Sequence, residues 1–168
     1  MVHPERLGHL ILKVRDLEPS RRFYTEVLGL DLMFESKRPK MALFASHRRD
    51  HHEIGLIEVG AQAGSPKPSD IGLYHIAFRL KDEDEVRAAY HELKAKQVPI
   101  AFTVHHGLTK SVYFNDPDGY LLEFYCDVSP EEMANYPDLE QATAKLEFAP
   151  DDPGLLDHLA AFGAMPGE

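Results

Sequence analysis

The stretch SVYFNDPDGYLLEF, residues 111–124, decides how the chain is read. Ser111 to Asn115 reads as a strand, and Asp116-Pro117-Asp118-Gly119 supplies the residues that reverse a chain tightly. Tyr120 to Cys126 then returns as a second, largely apolar strand. One residue breaks its apolar character. Glu123 sits inside Leu-Leu-Glu-Phe-Tyr, where an ionised carboxylate costs on the order of several kcal/mol unless it is paired or binds a metal.

Working outward from this hairpin, Ile100 to Val104 is a preceding strand. Asp82 to Gln97 is a helix whose Val86, Ala89, Tyr90 and Leu93 share one face at 3.6-residue spacing. Leu73 to Leu80 opens the half, giving strand, helix and three strands. The N-terminal half repeats that order. Leu7 to Val14 is a strand, and Asp-Leu-Glu-Pro-Ser starts a helix that runs to Leu28 and stops at Gly29. Leu30 to Glu35, Met41 to Ser46 and His52 to Val59 follow as strands. Aligning GHLILKVRD with YHIAFRLKD superimposes His9 on His75, 66 residues later, which indicates an internal duplication. The expected fold is therefore α+β, built from two tandem βαβββ modules. The first occupies residues 1–60, a linker rich in Gly, Pro and Ser covers 61–72, and the second occupies 73–128. The tail, 129–168, packs on the domain with a short helix near Pro130 to Tyr136, and no chemistry is assigned to it.

Composition narrows the partners. The formal net charge of −10 over 168 residues opposes binding to nucleic acid or to an anionic membrane surface, so small molecules are the expected partners. The single cysteine, Cys126, excludes an internal disulfide and any multi-cysteine metal cluster, and suits a reducing compartment, with the cytoplasm as the default. The N-terminal apolar run is too short to span a bilayer. Ten histidines make imidazole and carboxylate the available metal ligands.

His9 and His75 occupy matching places in the opening strands of the two halves. Two neutral imidazoles from equivalent positions, joined by the Glu123 carboxylate, form the facial set that non-haem Fe(II) favours, with coordination positions left open. The competing reading of Glu123 is a salt bridge to a nearby Arg or Lys.

His9, His75 and Glu123, each on its strand, resemble the three metal ligands of the glyoxalase, bleomycin-resistance and extradiol-dioxygenase superfamily. The likeness runs over roughly residues 5–127, with 111–124 resembling the closing hairpin. It implies a half-barrel metal cleft made by the two modules. Counting 48 residues from His9, the interval from His75 to Glu123, lands on Ile57 with Leu56 beside it, neither of which binds metal. Glyoxalase I and methylmalonyl-CoA epimerases, which generally use four protein ligands, are thereby less similar than the three-ligand type I extradiol dioxygenases. That resemblance implies Fe(II), with Mn(II) as the alternative, and a catechol-type diol and O2 as substrates. It implies an acid/base role for His52, with His51 on the solvent side. The segment HHGLTKSVY, residues 105–113, resembles the stretch that places a histidine and a tyrosine near the substrate, here His106 and Tyr113. Two rivals share the scaffold. One is a metal-dependent thiol transferase or epimerase of the fosfomycin-resistance kind, and the other is a metal-free, drug-sequestering binding protein. A homo-oligomer is compatible with all three readings.

Overall fold

The computed structural model describes residues 1–67, 70–136, 146, 148, 152–155 and 158–159. It divides into two compact units, Met1–Ser65 and Pro66–Glu168. Each carries the same α+β motif, so the tandem βαβββ expectation holds.

In the first unit, β1 (Leu10–Val14) leads into α1 (Leu17–Glu26), followed by β2 (Asp31–Lys37), β3 (Lys40–Ala45) and β4 (Ile54–Glu58). The Asp16 carboxylate caps α1 by accepting from Glu18 N at 3.1 Å, satisfying one of the donors a helix start leaves open. The sheet order is β1-β4-β3-β2, with β1 parallel to β4 and the remaining pairs antiparallel. Alternation puts Leu12 and Val14 on the buried face, and α1 packs over β3 and β4. There Tyr24 lies 5.8 Å from Phe44, centroid to centroid.

The second unit repeats this plan with β5 (Ile76–Arg79), α2 (Glu83–Ala95), β6 (Ile100–His105), β7 (Thr109–Asn115) and β8 (Leu121–Asp127), then a short α3 (Pro130–Met133). Its order is β5-β8-β7-β6, with β5 parallel to β8. Val86, Tyr90 and Leu93 of α2 are buried where the helix packs on β7 and β8, over Phe114, Leu122 and Phe124. Burying side chains of this size contributes about 1.5 to 3 kcal/mol each. Both units carry a register shift in their second strand, between Leu32 and Phe34 and between Ile100 and Phe102. Among the described residues, no helix is long and apolar enough to cross a membrane.

Several boundaries move from their expected places. The first helix ends at Glu26, because the Val27 N–H closes on Phe23 O and the chain reverses through Gly29 at φ 69°. The strand expected from His52 begins at Ile54. His51 and His52 therefore precede it, and strand parity does not govern where they point.

The pairing register also corrects the counting argument. Leu10 pairs with Ile54 as Ile76 pairs with Leu122, so the counterpart of Glu123, opposite Ala77, is Gly55, opposite Ile11. Neither Ile57 nor Leu56 holds that place. A Cβ on Gly55 would stand 2.3 Å from Ile11 Cδ1 and 3.0 Å from Leu43 Cδ2, so Ile11 fills the space a ligand side chain would need. Because the contact is with the tip of the exposed Ile11 side chain, Gly55→Ala is expected to destabilise the protein by no more than about 1 kcal/mol. In a urea-denaturation double-mutant cycle with Ile11→Ala, the two losses should be less than additive, because the shortened side chain vacates the contact.

Candidate metal centre

One face of the second sheet collects the polar residues the hairpin sequence singled out. Glu123 pairs with Ala77 on one side and with Tyr113 on the other, and His75 lies two residues before Ala77. Alternation therefore turns Glu123 and Tyr113 to the same side, away from α2, and His75, just before β5, reaches them there. His75 Nε2 stands 3.1 Å from Glu123 Oε2, and the His75 ring meets that of Tyr113 edge-on at 5.4 Å. Glu123 is only 5% exposed. His75 Nδ1 is buried without a hydrogen-bond partner among the described residues.

This donor set fits a divalent metal. Two ligand atoms at right angles about 2.1 Å from one ion stand about 3.0 Å apart, close to the spacing the His75 nitrogen and Glu123 oxygen already have. Burial holds the Tyr113 phenol far above the ordinary tyrosine range, and the charge and hydrogen bond of Glu123 push in the same direction. The phenol is therefore a hydrogen-bond donor at any physiological pH. His106 shifts the other way, since burial lowers its pKa while Glu123 opposes the fall and His105 and His75 add to it.

In the first unit the structure brings His9 together with His52, their ring centroids 4.3 Å apart. His51 is exposed, as expected of a solvent-side residue, and its ring also stands 4.4 Å from that of His52 and 6.3 Å from that of His9. Burial, with His9 and His51 as neighbours, lowers the His52 pKa, favouring the neutral imidazole. The remaining carboxylates of this region are engaged elsewhere. Glu58 accepts from Lys40 Nζ at 2.6 Å and from Leu17 N at 3.2 Å, and Glu53 accepts from Ser46 N at 2.7 Å.

The family model described as the Glyoxalase/Bleomycin resistance protein/Dioxygenase superfamily matches residues 6–124. The chain belongs to this superfamily. Among its relatives, biphenyl-2,3-diol 1,2-dioxygenase 3 of Rhodococcus globerulus is 31% identical over 141 residues, covering 82% of this chain and 73% of the relative. A probable lactoylglutathione lyase of Vibrio parahaemolyticus is 32% identical over 126 residues, covering 70% of this chain and 88% of the relative. In structure, the chain is similar to a glyoxalase/dioxygenase from Nostoc punctiforme, with a TM-score of 0.61 at 25% identity. That match covers 77% of this chain and 97% of the other. The relatives of this chain thus include proteins named as a dioxygenase and as a probable lactoylglutathione lyase.

Two groups of residues near Glu123 were not legible as neighbours of this face in the sequence. The register shift in β6 turns Phe102 from the helix side to the side of Tyr113, with the rings stacked at 4.1 Å and 16°. Against Phe102, Val104, Tyr113 and Leu121 packs Leu155, and His158 lies 4.5 Å from the Phe102 ring. The segment carrying them joins the edge of β6, where Thr103 N donates to Pro153 O at 3.2 Å. The tail thus contributes side chains to the same face as Glu123.

The loop bearing His106 is held from below. His105 Nδ1 accepts from Gly107 N at 3.0 Å, which leaves Nε2 as the protonated nitrogen, 3.0 Å from Glu132 Oε1. Lys110 Nζ donates to Glu83 at 2.6 Å and is 2.8 Å from Glu132 Oε1. The Lys110 hydrogen bond is the main cause holding both glutamates below the ordinary value of 4.5, with His105 assisting at Glu132. Burial works against the Lys110 ammonium, but Glu132 and Glu83 outweigh it and raise its pKa above 10.5. The depressed glutamates stabilise the fold fully above pH 4.5, and that stability is lost as the pH falls below it. The raised lysine contributes below 10.5 and is lost at higher pH. Lys110→Met should cost about 2 kcal/mol at neutral pH, between the values typical of exposed and buried pairs. Its melting temperature should also fall less steeply than that of the wild type on acidification below pH 4.5.

Proposed function

We propose that this chain is an extradiol dioxygenase that cleaves a catechol-type aromatic diol beside its hydroxyl pair, using O2 and one Fe(II), with Mn(II) as the alternative. The ligands in this reading are His75 and Glu123 from the second unit and His9 from the first. The observation that carries it is the buried Glu123 carboxylate with an imidazole nitrogen at 3.1 Å and Tyr113 beside it on the neighbouring strand. The 31% identity to a protein named biphenyl-2,3-diol 1,2-dioxygenase 3 supports the diol as substrate class.

When bound, Fe(II) supplies the electron relay between diol and dioxygen that zinc lacks. The protein's own groups then position the substrate and manage its protons. Tyr113, unable to ionise, donates a hydrogen bond to a diol oxygen. His106, kept neutral by burial, accepts a proton or hydrogen bond from the same side of the substrate. His52 acts as acid and base toward the second hydroxyl. The ring bond next to the diol breaks, and both oxygen atoms enter the product, leaving one new carboxylate and one new carbonyl with no external reductant.

The lactoylglutathione lyase likeness favours a second reading, thiol-dependent isomerisation. Against it stands the first unit, where Gly55 beneath Ile11 occupies the place a fourth ligand would need.

Anaerobic loading with Fe(II), followed by catechols under oxygen, should give stoichiometric O2 uptake and a yellow ring-opened product. Glu123→Ala should lose both metal and activity, while His52→Ala keeps the metal and loses about 10²- to 10⁴-fold in kcat. Tightly held metal without O2 uptake across the panel would transfer the assignment to the thiol-dependent reading.

A further inference from the structure

The tail of the second unit is fastened on the helix side of the sheet and delivers side chains to the other side. β6 lies at the edge of its sheet, with β7 on one flank and the tail on the other. Thr103 N donates to Pro153 O at 3.2 Å, Thr103 Oγ1 donates to Leu146 O at 2.6 Å, and Gly154 bridges to Thr103. Two anchors join the same stretch to α2. The Phe148 ring lies 5.0 Å from that of Tyr90, with the Arg87 guanidinium over it at 4.9 Å, and Lys94 Nζ donates to the buried Asp152 carboxylate at 3.3 Å. Past these anchors the chain reaches the face of Glu123. Leu155 packs on Phe102, Val104, Tyr113 and Leu121, and the His158 ring lies 4.5 Å from that of Phe102.

Phe102 passes the constraint on to Tyr113. The two rings are buried and stacked at 4.1 Å and 16°, and the His75 ring meets Tyr113 edge-on at 5.4 Å. A close-packed ring held between two neighbours has little freedom to swing its hydroxyl. That freedom matters for a hydrogen-bond donor, because a misplacement of about 1 Å can cost about 10²-fold in rate.

We propose that the tail segment carrying Asp152, Leu155 and His158 is a strap that sets the direction of the Tyr113 hydroxyl, with Leu155 and Phe102 as positioning residues. The strap acts on the reaction through Phe102 and Tyr113, without touching the diol. This kinetic consequence rests on the dioxygenase reading, in which Tyr113 donates to a diol oxygen, whereas the hold on Tyr113 does not.

The test uses the full chain with fluorotyrosine in place of tyrosine, the Tyr113 fluorine NMR signal being identified by its loss in Tyr113→Phe. Leu155→Ala should move that signal, and the conservative Leu155→Met should keep it near its wild-type position. An unmoved signal in folded Leu155→Ala overturns the proposal. Should that variant not fold, Phe148→Ala, which loosens the strap from the helix side, decides in its place by the same criterion. In the Fe(II)-loaded protein with a catechol, Leu155→Ala and Phe102→Leu should each lower kcat by about tenfold at unchanged metal content. Added to Tyr113→Phe, either should cost less than about twofold more, since the group they position is gone. Losses that multiply in full overturn the link between strap and hydroxyl, because a tail that merely supports the fold would act equally in both backgrounds. Absence of any cleavage by the wild type counts against the dioxygenase reading alone, and the fluorine signal still decides whether the strap holds Tyr113.

Discussion

A carboxylate buried in an apolar sheet is the constraint around which the second unit is arranged. Glu123 lies on a central strand, flanked by neighbours on both sides, and burial removes the water that would otherwise solvate it. Its charge must therefore be met by groups on the same face. His75 and Tyr113 meet it, one from each adjacent strand. Burial, with this charge assisting, holds the phenol protonated, and the charge reaches as far as His106. Replacing the imidazole–carboxylate contact by a metal shared between the two would preserve this balance with little movement, which is why the site suits a cation.

The duplicated first unit shows what happens when that constraint is absent. Where the second sheet has Ala77, Glu123 and Tyr113 side by side, the first has Ile11, Gly55 and Leu43. The small residue and the large one have exchanged strands, and the space above the sheet is filled with hydrocarbon instead of a carboxylate. His9 keeps the position of His75 but has other imidazoles as neighbours. The two halves share a backbone plan while differing in the chemistry of one face.

Much of the fold was legible because its signals are periodic. The duplicated opening strands and the Asp-Pro-Asp-Gly turn are local patterns, and the order of elements followed from them. Glu123 was legible as a buried charge in an apolar run. Legibility failed where periodicity is interrupted. His51 and His52 lie before β4, so strand parity does not fix them; His51 is exposed as expected, but its place beside His9 and His52 was not legible. Phe102 reaches the face of Tyr113 only through an irregularity in β6, which leaves no mark in the residue types. Leu155 and His158 arrive from a tail whose docking depends on an unpaired strand edge, a non-local relation that composition does not carry.

The strand order has a consequence for how the chain is made. Among the described residues the first strand of each unit pairs with the last, so β1 waits for its partner until residues 54–58 have been synthesised. The ribosome must therefore release nearly the whole first unit before its opening strand can dock, and a pause anywhere in that interval leaves an apolar segment exposed to chaperones. Once docked, the first sheet has its four strands in register while the second is still being translated. Duplication thus divides one long-range closure into two shorter ones, each finished by the arrival of its own final strand.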